Sequence, residues 1–433
     1  MTSANPVTTG PGPGAPLPSL GPSLIWRNWV GNQTARVRHF AMPSDDEQVC
    51  ELVKQAGQRD LSIRVVGSGH SFTPIVVTND VLMSCERLMG IVDIDADKGT
   101  VTARAGTRIS DLGEPLRELG WALANQGDID LQTLAGALST GTHGSGNAIP
   151  CLAAPIMSMT LATSDGGSLE LSAAHTPDLL RAAQVSQGML GIITRMTLRL
   201  VPAYDLHERV YRLDFDDCME QIEDLCETNR SVRFFWCPTE HASSLFSLPD
   251  TTGLGTSSVA DVCEMRVLKE TTELAAAFAG RRGERSGPSY RIYPGALPMP
   301  NNNECEYAVP YEAGPDVMRA IRKLMLTRHT DCIFPVEYRT VAADEIWLSP
   351  YYKRKTVMIS ISGGAGEDYT SYLRDCEAIF AEVGGRPHWG KLYNLDRDQI
   401  AALYPLHADF VQERRRLDPQ GRFLNDHLRE RFG

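Results

Sequence analysis

Four stretches of this chain bring together residue types that do chemistry, at spacings a local backbone can exploit. Gly67-Ser68-Gly69-His70-Ser71-Phe72 follows directly on the β-branched run Ile63 to Val66. Its two glycines free the loop from side-chain clashes, so the backbone can approach a flat ligand or a diphosphate and donate amide hydrogens to it. It is not a dinucleotide fingerprint, which needs a third glycine and an ensuing helix, nor a phosphate loop, which needs Gly-Lys-Ser/Thr. The second stretch, Gly136-Ala137-Leu138-Ser139-Thr140-Gly141-Thr142-His143-Gly144-Ser145-Gly146, is a run of small and hydroxyl residues. Such a run cannot fill a core, and close backbone approach to a bound group is the economical reading. A nucleotide-like cofactor fits both loops, with ordinary turns as the competing reading.

Glu337 and Arg339 stand two apart in an extended segment, so both side chains project from one face while Val336 and Tyr338 project from the other. A carboxylate and a guanidinium then address one ligand, or form a surface ion pair worth under about 1 kcal/mol. Pro335 marks the segment as an edge strand or as the start of one. Lys391 follows His388 and Trp389 in an aromatic stretch, where histidine and tryptophan serve more often in packing than in reaction. His143 is read as tying its loop to the cofactor. Ser145 is read as a cofactor contact rather than a nucleophile, since no nucleophile-elbow pattern surrounds it.

Taken in order, Gly67 to Phe72, Gly136 to Gly146, Val336 to Asp344 and Arg386 to Lys391 resemble the aldonolactone and alditol oxidases, the sugar-1,4-lactone oxidases, of the vanillyl-alcohol-oxidase (PCMH-type) flavoprotein superfamily. The resemblance runs from about Trp26 to Asn425. It implies FAD bonded covalently through a ring nitrogen of His70 to the flavin 8α-methyl. A neutral imidazole is a competent nucleophile, and the linkage makes the flavin a stronger oxidant. It further implies cofactor contacts from Gly67, Ser68, Gly69, Ser71, Gly127, Asp128, Thr133, Gly136, Ser139, Thr140, Gly141, His143, Gly144, Ser145, Gly146 and Ile193, with Glu337, Arg339 and Lys391 catalytic.

The implied reaction is oxidation of a CH–OH group in an aldono-1,4-lactone or alditol by hydride transfer to flavin N5, with O2 as acceptor and H2O2 as product. Gly127 aligns with the small residue that admits oxygen in oxidases of the family, and Asp128 takes the place of a serine that alditol oxidases use near the substrate. Ser360 falls where alditol oxidases place a histidine that helps remove the hydroxyl proton. With that base missing, proton removal passes to Glu337, to a lysine-linked water network or to the substrate itself.

The elements that must hold these residues are those of a mixed α and β chain. A capped helix is expected over Ser44 to Gly57, strands at Ile63 to Val66, Gly90 to Ile94, Thr100 to Ala105, Met157 to Thr163 and Ile192 to Leu200, and a helix at Ser110 to Leu119. Residues 1–23, rich in Pro, Gly, Ser and Thr, are expected to be disordered, and Ile25, Trp26 and Trp29 to begin the folded part because their bulk needs burial. At 433 residues the chain has volume for two lobes and a cleft. The fold class is α+β, with an FAD lobe over residues 24–204, a substrate lobe over 205–390, and a segment 391–433 returning to the first; the two-lobed architecture is carried by the resemblance.

Lys and Arg total 42 against 54 Asp and Glu, for a formal net charge of -12 without a compensating basic block, which argues against nucleic acid as partner. Arg414, Arg415 and Arg416 read as a solvated helix face. Ten scattered cysteines without C-x-x-C or metal-ligand spacing suggest neither a metal site nor a disulfide framework, and no apolar run is long enough for a membrane span, so a cytoplasmic enzyme is expected. The partner is a polyhydroxylated small molecule. The competing readings are a flavoenzyme acting on an amino sugar or another secondary-metabolite alcohol, and a flavin-free sugar-binding protein.

Overall fold

Parallel strands need a crossover, and the first half of the chain supplies one early. The computed structural model describes residues 20–245, 255–271, 283–294, 302–331, 334–364 and 370–433; most of the tail expected to be disordered, residues 1–19, and Cys332 lie outside them. After a short hairpin, His39–Ala41, Val81–Ser84 and Ile63–Val66 form a parallel three-stranded sheet in that order. The helix Asp46–Gln58 provides the crossover. Asp45 caps it by accepting from the amide of Gln48, and its stripe of Val49, Leu52, Val53 and Ala56 is fully buried.

An antiparallel five-stranded sheet follows, in the order Ser168–Ser172, Ile156–Ala162, Ile192–Arg199, Thr100–Arg104, Ile91–Asp95. The two sheets meet where Gly106 has no side chain: a Cβ there would lie 1.9 Å from the carbonyl oxygen of Cys85. The strands and helices expected from the sequence in this half are present, their ends shifted by one or two residues.

The second half builds one eight-stranded sheet from Glu284–Pro288, Asp205–Asp214, Val262–Thr271, Ser231–Cys237, Val336–Val341, Thr356–Gly364, Asn302–Pro310 and Arg386–Pro387, in that spatial order and antiparallel wherever strands pair. Side chains of a strand alternate between faces, and here the faces differ in chemistry. One face carries Phe234, Trp236, Met265, Tyr338, Ile359 and Tyr307, all buried. The helices Phe215–Thr228, Gly314–Thr327 and Thr370–Glu382 lie on this side, with Phe215 edge-on to Trp236 and Phe380 stacked on Tyr307 at 4.8 Å. Such ring pairs add about 0.5–1.5 kcal/mol beyond their buried area.

The opposite face is charged. The pairing sets Arg233 opposite Arg339 and Arg266, Phe235 opposite Glu337, and Ser360 opposite both Glu337 and Glu306.

Two expectations are corrected, and a third is decided between its alternatives. Ile25 and Trp29 remain exposed, at 58% and 44%, because Trp29 stands at a cleft rather than in a core. Of the two readings of Pro335 the second holds: the strand begins at Val336 and lies between two partners, and the proline just before it removes no ladder bond. Arg414 is buried and donates to the carbonyl of Asp418, while Arg415 and Arg416 are exposed. Among the described residues no helix is long and apolar enough to cross a membrane.

Candidate active site

Between the loops of the first half and the charged face of the large sheet lies a cleft enclosing about 1800 Å³, part of it open to solvent. Most of the residues singled out in the sequence line it: Gly67, Ser68, Gly69, His70, Ser71, Gly127, Asp128, Thr133, Gly136, Ser139, Thr140, His143, Ile193, Glu337, Arg339 and Lys391. Gly141, Gly144, Ser145 and Gly146 do not. They fasten the loop behind the wall. Ser145 Oγ donates to the carbonyl of Val232, the amide of Gly146 donates to Thr340 O at 2.7 Å, and Tyr351 Oη donates to Gly141 O at 3.0 Å. A Cβ on Gly144 would lie 2.3 Å from Asn125 Oδ1.

His70 sits at the end of the first loop, where Gly69 takes a left-handed φ of 70°. Trp29 stands over the imidazole with ring centroids 5.5 Å apart, fixed by its amide bond to Gly69 O at 2.9 Å. Burial, and then the charge on Lys391, lower the His70 pKa, so the ring stays neutral and nucleophilic near pH 7. Phe72 and Thr73 anchor the loop to the late segment of the chain, through the carbonyls of Gly390 at 2.8 Å and Trp389 at 3.0 Å.

The wall fits a flat nucleotide cofactor. A Cβ on Gly67 would lie 2.0 Å from Thr133 Oγ1, so the two loops touch only because position 67 has no side chain. Buried polar atoms of this wall lack partners: Thr133 Oγ1, Thr142 Oγ1 and both terminal atoms of Gln187 have no hydrogen bond among the described residues. Buried polar groups are otherwise nearly always paired. Gln187 also takes a left-handed φ of 52° next to Gly188 at 72°, strain of the kind held at binding sites.

The opposite wall is ionic. Arg339 donates from Nη2 to Glu306 Oε1 at 2.5 Å and lies 3.3 Å from Glu337 Oε2, while its Nη1 is 3.6 Å from Asp128 Oδ2. Arg233 pairs closely with the other oxygen of Asp128 and lies 3.9 Å from Glu337 Oε1. Burial opposes the charge on Arg339, but Glu337 and Glu306 more than offset it and raise its pKa.

Burial raises Glu337 despite Arg339 and Arg233, and its Oε1 accepts no hydrogen bond. Glu306 is also buried, yet Arg339 and His143 hold it well below the usual carboxylate range. His143 donates from Nδ1 to Gly144 O at 2.8 Å and presents Nε2 to Glu306 Oε1 at 3.3 Å. His388 is pushed down to about 3 by burial. The ligand atoms of His143, Glu306 and His388 lie within 4.8 Å of one another, but Arg339 already supplies the positive charge that a metal ion would bring to this carboxylate.

Lys391 pairs with Glu304 Oε2, and Ser360 Oγ donates to Glu304 Oε1 at 2.5 Å. Glu304 thus stands where Ser360 cannot serve as a base and holds the lysine over the ring of Phe72, 5.1 Å away.

Glu304, Glu306, Arg233, Gln187 and Gly188 were missed in the sequence. A signal existed for the first three. Glu304-Cys305-Glu306 and Glu264-Met265-Arg266 repeat the two-apart charged spacing of Glu337 and Arg339 around an apolar residue, and Arg233 is a single charge within the apolar run Val232 to Cys237.

Comparison with known proteins follows the same division. Residues 37–172 match the FAD binding domain model, and residues 255–431 match the model described as D-arabinono-1,4-lactone oxidase. The L-gulono-1,4-lactone dehydrogenase of Mycobacterium tuberculosis is 32% identical over 432 residues, covering 95% of this chain and 100% of the relative. The L-gulonolactone oxidase of Mus musculus is 28% identical, with 94% and 98% covered, and the alditol oxidase of a Streptomyces species is 28% identical, with 93% and 98% covered. Among solved structures, cholesterol oxidase from B. sterolicum superposes with a TM-score of 0.81 over 99% of this chain and 100% of its own, at 15% identity.

Proposed function

The chain belongs to the sugar-1,4-lactone oxidase family of FAD-dependent oxidoreductases acting on CH–OH groups, and on that premise we propose that it oxidises an aldono-1,4-lactone or alditol, carries FAD covalently on His70 and passes electrons to O2. The observation that carries the reading is the meeting, in one cleft, of the His70 loop with the wall of Glu337, Arg339, Glu304 and Lys391. A flavin-free binding protein is set aside by the family.

The loops Gly67–Ser71 and Gly136–Thr140, with Gly127, Thr133, His143 and Ile193, would hold the cofactor. When bound, FAD supplies the two-electron acceptor for the carbinol C–H. The chain's own residues handle the proton and the position of the substrate. Arg339 and Lys391 fix the substrate oxygen and stabilise the negative charge that grows on it as its proton leaves. Glu337 takes that proton: it lines the cleft, its Oε1 accepts no hydrogen bond among the described residues, and desolvation makes it a stronger base once ionised. Glu304 holds Lys391 in place through one oxygen while Ser360 secures the other.

Gly127 lines the cleft without a side chain, and a Cβ there would crowd His143 O at 3.3 Å; the bare position supports oxygen as acceptor. We draw the FAD lobe at residues 24–204 with 391–433 and the substrate lobe at 205–390, because the large sheet takes all its strands from residues 205–387. The described cysteines are all free thiols and all but Cys50 are buried, which suits a cytoplasmic enzyme.

The test is direct. The purified protein is expected to be yellow, to keep flavin in an acid-precipitated pellet, and to release peroxide with lactones or alditols; the His70→Ala variant should leave no flavin in the pellet. A colourless pellet from the unaltered protein sinks the covalent link, and a flavin that no lactone or alditol bleaches without air sinks the substrate class. An amine-bearing sugar is the second reading, favoured by three carboxylates, Asp128, Glu306 and Glu337, around two guanidiniums. The same panel, extended to aminated sugars, separates the two.

A further inference from the structure

A lactone differs from its hydrolysis product in one respect that this cleft is built to sense. Opening the ring breaks the ester C–O bond, takes up one water and releases one proton, so a neutral substrate becomes a carboxylate anion. Two guanidiniums side by side, Arg233 and Arg339, would ordinarily be a strong carboxylate site, because each offers parallel N–H donors that match two oxygens. Here the place is taken. Asp128, on the opposite wall, sets one oxygen on Arg233 and the other 3.6 Å from Arg339, while Glu337 and Glu306 both lie on Arg339 Nη2; the Nε atoms of the two guanidiniums have no hydrogen bond among the described residues, but they are buried.

The count around the two cations is three carboxylates. The neighbouring charges do not alter it, since Glu264 pairs with Arg266 and Glu304 with Lys391. Glu337, whose buried Oε1 has no hydrogen bond among the described residues, lines this space. A fourth carboxylate entering from a ligand would meet net negative charge, with Asp128 already set against the Nη1 atoms of both guanidiniums.

We infer that Asp128 is a specificity-determining residue that occupies the seat of a substrate carboxylate, so that the cleft takes a neutral lactone or polyol and rejects the ring-opened aldonate. Discrimination of this kind rests on placing a repulsive group against the wrong ligand as well as an attractive one for the right ligand. The inference rests on the substrate class proposed above.

The experiment uses the flavin-loaded protein without air, taking the affinity for L-gulono-1,4-lactone from the concentration dependence of the flavin reduction rate in stopped flow and that for sodium L-gulonate from its perturbation of the oxidised flavin absorbance. In the unaltered protein gulonate should bind at least about 10-fold more weakly than the lactone. Asp128→Ser, which removes both the charge and the carboxylate volume, should raise the gulonate-to-lactone affinity ratio by roughly 10- to 100-fold, and Asp128→Asn, which removes only the charge, by less. Adding Arg233→Met to Asp128→Ser should cancel the gain.

A ratio that stays put in both single variants, or a gain that survives loss of Arg233, overturns the inference. So does gulonate binding to the unaltered protein as tightly as the lactone, a measurement that needs no variant to fold. Failure of every lactone and alditol to bleach the flavin would instead count against the proposed substrate class, and the gulonate titration of the variants remains readable in that event.

Discussion

Replacing Glu306 by Gln removes one charge from the centre of the ionic wall while keeping its shape, and the cost can be worked from the geometry. Glu306 is 1% exposed, bonded to Arg339 at 2.5 Å and facing His143 at 3.3 Å. With charge centres about 4 Å apart and an effective dielectric of about 20, the attraction to Arg339 is about 4 kcal/mol. Arg339 keeps Glu337 and Asp128 as partners, which reclaims part of this, so a net loss of about 3 kcal/mol is expected, at the lower end of what breaking a buried pair costs.

The pH dependence has a definite sign. The folded pKa of Glu306 is depressed, so its contribution is present above the unfolded value near 4.5 and is lost as pH falls toward the folded one. Denaturant unfolding of both proteins between pH 3 and 8 should therefore show a gap of about 3 kcal/mol at pH 7 that closes on acidification below about 4.5. A gap under about 1 kcal/mol at neutral pH, or one that stays constant into acid, would refute Glu306 as a charged partner of Arg339.

Gly67→Ala should yield protein with well under half the flavin of the unaltered chain, judged by the visible-to-ultraviolet absorbance ratio, because the new methyl meets Thr133 Oγ1 at 2.0 Å; adding Thr133→Ala should restore part of it. Lys391→Met removes one of the two causes that hold His70 neutral, so covalent flavin attachment to the apoprotein should fail at a higher pH than in the unaltered chain as the medium is acidified. An acid limit that does not move would clear Lys391 of that role. Gly127→Ala should slow reoxidation by O2 at least about 10-fold more than it slows reduction by substrate in stopped flow, an added barrier of about 1.4 kcal/mol at the oxygen step. Equal slowing of both would remove Gly127 as the oxygen gate.

What could be read in the chain before its structure was the local part. Asp45 and the stripe behind it announce a helix, and Ile63 to Val66 a strand, because cap and periodicity act within a few residues. The charged face of the large sheet was hidden for the opposite reason. A strand such as Asn303-Glu304-Cys305-Glu306 looks half-solvated, and only pairing with residues more than fifty positions away turns its outer face into a buried wall. Trp29 misled because bulk was equated with burial in a core, whereas this ring lines a ligand space. In the Gly141–Gly146 run the small residues do mark close approach, but at Gly144 and Gly146 the neighbours are Asn125 and Arg230 of the chain itself.

The cleft draws its walls from the far ends of the polypeptide. Arg64 bonds the carbonyl of Phe423, 359 residues away, and Thr73 that of Trp389, 316 residues away. A ribosome would therefore finish the nucleotide-facing loops long before the strip that seals them emerges, and closure of so long a loop is slow. Truncation before Trp389 would therefore leave the early loops without the carbonyls that anchor them, and the cleft without one of its walls.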